Sequence, residues 1–143
     1  ALAQGVPIIP DVSMVAAGIG TVVRRTWQSS GTVAVQEVPK VIGPNQTRTA
    51  EGILACVRSH PSPIIAIANA PTALIPLCDG VSAGQAKPAL IIGAPVGFIN
   101  VVESKQALAA LSIPHIVVTG RKGGSAVAAA ILNALMILAW EQA

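Results

Sequence analysis

Three stretches of this 143-residue chain put small residues and prolines where a ligand's polar groups could approach the backbone. They are Asn69-Ala70-Pro71-Thr72, Gly93-Ala94-Pro95-Val96-Gly97 and Gly120-Arg121-Lys122-Gly123-Gly124-Ser125, and each follows an apolar run rich in Ile and Val. Small residues let backbone come close to a ligand, and a helix start after such a turn offers N–H groups to anions. The same residues also suit plain strand-to-helix turns, with Pro71 at a favoured helix-start position. Three such turns in succession favour a ligand site. Of nine basic residues, Arg121 and Lys122 lie inside the third turn, Arg48 opens a helical stretch after Thr47, and Lys105 follows Glu103-Ser104. Cations gathered over one sheet edge suit a ligand with several carboxylates or phosphates, although Arg and Lys also solvate helix ends.

Other chemistries fail on inspection. The chain has no G-x-x-x-x-G-K-[ST], no G-x-G-x-x-G after a strand and no G-x-S-x-G elbow, since Gly80-Val81-Ser82-Ala83-Gly84 fits those letters only at the end of a helical stretch and not between a strand and a helix. His60, in a Ser-His-Pro loop, reads as solvated, and His115 as a core or edge histidine at the start of a strand. Asp11, Asp79 and Glu103 make no metal triad, so no metal site is expected. Cys56 and Cys78 have neither metal nor redox spacing and read as buried free thiols in a reducing cytoplasm.

The elements that must carry these turns follow from hydrophobic pattern. Residues 6–10, 32–35, 64–68, 89–92 and 115–118 are nearly continuous apolar runs, as in strands buried on both faces of a parallel sheet. Helix-period stretches cover 11–19, 47–58, 72–83, 99–110 and 125–140, with polar loops expected near 20–31 and 38–46. Alternating strands and helices predict a single α/β domain over residues 1–143: three layers, a mostly parallel sheet with helices on both faces, Rossmann-like.

Composition narrows the partners. With 52% hydrophobic residues and 10% charged, the chain has ample apolar bulk to fold. Phe98, Trp27 and Trp140 are its only aromatics and its net charge is +3, which argues against nucleic-acid stacking or backbone tracking. The uncharged stretch 125–140 is shorter than the ~20 residues a spanning helix needs and contains Asn133, so it reads as a core or interface helix, not a membrane span. So few charges on so much apolar bulk predict a homodimer.

Read in order, several motifs coincide: Gly5-Val6-Pro7-Ile8 through Asp11 and Met14-Val15, Thr47-Arg48-Thr49-Ala50, and Asn69-Ala70-Pro71-Thr72-Ala73-Leu74. Gly93-Ala94-Pro95-Val96-Gly97-Phe98, Glu103-Ser104-Lys105 and the 120–125 turn complete the set. Together they resemble the precorrin-8X methylmutases (precorrin isomerases) of cobalamin biosynthesis, over essentially the whole chain. The resemblance implies an isomerase that moves a methyl group from C11 to C12 of precorrin-8X or cobalt-precorrin-8. It implies a polycarboxylate tetrapyrrole substrate near a homodimer interface and no cofactor, cobalt entering only as part of the substrate.

Residue by residue, the resemblance assigns substrate hydrogen bonds to Arg48, with Thr47 beside it. It sets Asn69, Pro71, Thr72 and Gly97 over the macrocycle, and makes Arg121, Gly123, Gly124 and Ser125 an anion cradle. Lys105 is expected to meet a peripheral carboxylate, and Asp11 and Met14 to line the mouth, with Asp11 equally suited to cap the helix it starts. The family's catalytic histidine would precede residue 1, so no catalytic residue beyond an assisting Arg48 is expected within the chain. Ala1-Leu2-Ala3-Gln4-Gly5 reads as the tail of a helix, which favours a chain lacking the family's N-terminal segment and catalytically poor alone. The alternatives are an inactive tetrapyrrole-binding carrier or a generic anion-binding α/β domain.

Overall fold

In the computed structural model, residues 2, 5–26, 43–44 and 46–143 are described. Four strands, β1 (Ile8–Pro10), β2 (Ile64–Ile67), β3 (Leu90–Gly93) and β4 (His115–Val117), form one sheet in the order β1-β2-β3-β4. Every pairing is parallel, with Ile9 opposite Ile65, Ile65 opposite Ile91 and Ile92 opposite Ile116. All four carboxyl ends therefore open on one edge. The expected strand at 32–35 lies outside the described residues.

Among the described residues five helices cover the two faces: α1 (Ser13–Arg25), α2 (Arg48–Ser59), α3 (Pro71–Ser82), α4 (Val101–Ala109) and α5 (Ser125–Glu141). Because successive strand side chains point to opposite faces, the continuous apolar runs feed two cores. Ile9, Ile65, Ile67 and Ile91 pack with Ile53 of α2, Leu74 and Leu77 of α3 and Leu108 of α4. Ile8, Ile64, Ala66 and Ile92 pack with Val15 and Ile19 of α1 and Leu132 and Met136 of α5. Each fully buried Ile or Leu contributes about 1.5–3 kcal/mol relative to exposure, so these rows dominate the stability of the sheet. The three-layer α/β expectation holds.

Two boundaries differ from the sequence reading. Residues 20–25 were expected to begin a loop, yet α1 runs through them to Arg25. Val22 and Val23 continue the face packed on the α5 side, and that burial outweighs the roughly 1 kcal/mol a helical glycine such as Gly20 costs. Asp11 does not cap α1 either: the capping position is Val12, and no side chain bonds the first turn. Close approach of α1 to α5 has its own cause, since a Cβ on Gly18 would lie 2.8 Å from the Cβ of Ala129. Asn133 then donates to the Gly18 carbonyl at 3.1 Å. No described helix is long and apolar enough to cross a membrane.

Candidate functional site

At the open edge, Asp11 follows β1 directly and is fully buried. Its Oδ1 accepts the N–H of Ala68 at 3.0 Å, and its Oδ2 accepts those of Asn69 at 2.8 Å and Ala70 at 3.2 Å. Burial pushes this carboxyl above its ordinary pKa, and the three amides pull the other way. The expectation that Asp11 lines the mouth or caps a helix is corrected. Its charge is spent on the turn between β2 and α3.

That turn presents Asn69 and Thr72 outward, with Pro71 as the first residue of α3. Thr47 caps α2 by accepting the Ala50 N–H at 3.2 Å, and its hydroxyl lies 3.3 Å from that of Thr72. The starts of α2 and α3 are thus joined. Beside them opens a groove of about 440 Å³, floored by Ala50, Leu54, Ile75 and Pro76 and rimmed by Gln46, Thr47, Thr72 and Asn100. Arg48 is the next residue after the cap and is exposed.

The β4–α5 turn is seated against the β3–α4 turn. Gly124 donates to the Ala94 carbonyl at 2.8 Å, and a Cβ on Gly123 would overlap that same oxygen. Gly123 at φ +154° and Gly124 at φ +104° adopt backbone that only glycine enters readily. Gly97, at φ +132° in the neighbouring turn, is under the same constraint. Arg121 reaches across to donate to the Phe98 carbonyl at 3.2 Å. Past the glycines, Ser125 begins α5, whose first helical bond runs from Ala128 N–H to Gly124 C=O. The amides of that first turn have no intrahelical acceptor.

Lys105 departs from its expected role. It is only 3% exposed, and its Nζ donates to the carbonyls of Gly120 and Lys122, each at 2.7 Å. Two of its three donors are used on the turn, so its partners in this structure are protein carbonyls where a ligand carboxylate was expected. Burial holds its pKa below the ordinary lysine value.

The edge therefore brings together Met14, Thr47, Arg48, Asn69, Thr72, Gly97 and the 120–125 turn, and sets Asp11 and Lys105 beneath it. Sequence reasoning missed the apolar part of the rim: Phe98 is 88% exposed and Ile99 80%, joining Met14 at 72%. The sole Phe of the chain lying inside a Gly-Pro turn was the signal for it. Exposed Met14, Phe98 and Ile99 thus share this edge with exposed Arg48, Arg121 and Lys122. The two histidines lie elsewhere. His60 caps the end of α2 and is half-buried rather than fully solvated, its Nδ1 3.0 Å from the Cys56 carbonyl. His115 starts β4, its Nδ1 2.9 Å from the Ile113 carbonyl, so both occupy the edge opposite the turns. Among the described residues no three metal-ligating side chains cluster.

Comparison with known proteins shows what the chain is similar to. The family model described as CbiC, precorrin-8X methylmutase, matches residues 1–138. The chain is 48% identical over 141 residues to a cobalt-precorrin-8 methylmutase of Synechocystis, covering 99% of the chain and 64% of the relative. It is 42% identical over 141 residues to a precorrin-8X methylmutase of Pseudomonas aeruginosa, covering 94% and 67%. It thus spans about two thirds of the length of these curated relatives. A solved precorrin-8X methylmutase from Thermus thermophilus superposes with a TM-score of 0.83 at 34% identity, over 99% of this chain and 70% of that one.

Proposed function

This chain belongs to the precorrin-8X methylmutase family, and from that premise we propose that it forms the substrate-holding edge of an isomerase of cobalamin biosynthesis. The reaction moves a methyl group from C11 to C12 of precorrin-8X or cobalt-precorrin-8, giving hydrogenobyrinic or cobyrinic acid. Atoms and electrons balance within the substrate: one carbon–carbon bond breaks, another forms, and the rearrangement is a formal 1,5-sigmatropic shift set by where the ring carries its proton. No organic cofactor is required, and cobalt, where present, is substrate.

One observation carries this reading. Exposed Arg48 and Arg121 share a single sheet edge with exposed Met14, Phe98 and Ile99. Arg48 would hydrogen-bond the ring periphery, with Thr47 and Thr72 beside it, while Asn69 and the Gly97 turn face the macrocycle. Such charge-assisted bonds orient a polycarboxylate without covalent chemistry. His60 and His115 both lie at the opposite edge of the sheet, so the described residues at this edge supply binding and orientation. Exposed Val127, Ile137 and Leu138 on α5 support a homodimer, and the buried Cys78 thiol fits a reducing cytoplasm.

A second reading, a non-catalytic tetrapyrrole carrier, is favoured by the position of both histidines at the far edge of the sheet. Incubation with precorrin-8X separates the two. The enzyme reading expects little turnover by the chain alone and conversion to hydrogenobyrinic acid once a His-bearing N-terminal segment of the family is joined to it. Corrin binding with no turnover in either form would leave the carrier reading standing and overturn the isomerase.

A further inference from the structure

We propose that Lys105 is a positioning residue, a buried cation that sets the orientation of the 120–125 turn and acts on the ligand only through that turn. For its ligand arm the proposal rests on the corrin-binding reading above.

Lys105 lies on the buried side of α4, and its ammonium holds the carbonyl oxygens of Gly120 and Lys122, two residues apart and each 2.7 Å away. In a trans peptide the C=O and the N–H of the following residue point in opposite directions. Fixing those two carbonyls on Lys105 therefore turns the N–H groups of Arg121 and Gly123 away from it. The same restraint leaves the Arg121 side chain exposed and free to reach the Phe98 carbonyl. It also places Gly124 for its 2.8 Å bond to Ala94. A single ammonium thus aims two amides, one guanidinium and a helix start.

The charge has no other evident task. Among the described residues it forms no ion pair, and its two bonded partners are both backbone carbonyls. A buried charge without a counter-ion is costly, and here the polar partners that satisfy it are backbone atoms of one turn. A methionine would fill the same space without that cost. What it could not do is hold two carbonyls at once.

The test compares the chain with Lys105→Met, which keeps the length of the stem and removes the donors, and with Lys105→Arg, which keeps charge and can fork to two acceptors. Amide hydrogen exchange is followed at Gly124 and at core strand residues Ile65 and Ile92, without ligand. The expected result is at least tenfold faster exchange at Gly124 in K105M, unchanged exchange at Ile65 and Ile92, and recovery in K105R. Unchanged Gly124 exchange, or equal acceleration in the core strands, would overturn the proposal. Titration with hydrogenobyrinic acid should show at least tenfold weaker binding by K105M, restored in K105R. Lost affinity with an unaltered turn would mean direct contact with ligand and would also overturn it. If K105M does not fold, Lys105→Gln, which keeps a donor for one carbonyl, must show intermediate exchange. A parent chain that ignores the corrin sinks the corrin reading, while the exchange result still decides the role of Lys105.

Discussion

The carboxylate of Asp11 accepts the backbone N–H of Asn69 at 2.8 Å, across 58 residues of sequence. With the bonds from Ala68 and Ala70, it makes the end of β1 the support for the turn after β2. Asp11→Asn keeps one acceptor oxygen but points an amide NH₂ at a backbone N–H. The expected destabilisation is about 2–3 kcal/mol, because a buried donor loses a charged acceptor. Urea unfolding measures it, and a midpoint equal to that of the parent would contradict this role.

Gly123 tests the contact between neighbouring turns. Gly123→Ala places a Cβ onto the Ala94 carbonyl at a φ of +154°, where neither the backbone nor the oxygen can give way cheaply. Backbone strain alone is about 1–3 kcal/mol. The variant should lose stability by at least that much and lose the Gly124 to Ala94 bond, visible as faster amide exchange at Gly124.

Cys78 gives a pH dependence with a definite sign. Burial, and secondarily the charge of Asp79, push its thiol up from 9.0 to about 11. Between those values the folded chain keeps a proton that the unfolded chain releases. Its contribution is therefore complete below about pH 9 and disappears as pH rises through about 11. The difference in unfolding free energy between parent and Cys78→Ala should shrink by up to about 2–3 kcal/mol across that window. A difference independent of pH would refute it.

Arg48 separates ligand chemistry from stability. It is exposed at the start of α2, so Arg48→Ala should leave the unfolding midpoint nearly unchanged. Corrin affinity should fall by about 1.5–3 kcal/mol, the worth of a charged hydrogen bond. Calorimetric titration of the two chains checks both halves of the expectation.

What the sequence revealed follows the range of the interactions involved. Ile64, Ile65 and Ile67 announce a strand buried on both faces by type alone, and Pro71 and the Gly123-Gly124 pair announce their turns by local backbone preference. Gly20 misled because a glycine marks a stop only when nothing apolar beyond it finds a partner, and Val22 and Val23 do. Asp11 and Lys105 were visible as charges at the right edge, but not as buried ones. Their partners stand 57 to 59 and 15 to 17 residues away, and backbone amides and carbonyls carry no side-chain signature. The exposure of Arg48, Asn69 and Thr72 needed no such long-range knowledge, and the hydroxyl of Thr72 lies 3.3 Å from that of Thr47, the residue before Arg48.

The central claim is that this sheet edge binds a corrin polycarboxylate, and a spectrophotometric titration of the chain with hydrogenobyrinic acid tests it most directly. The account predicts a saturable red shift of the corrin absorption at micromolar protein, weakened in Arg48→Ala. An absorption spectrum unchanged by the folded chain across that range would contradict it.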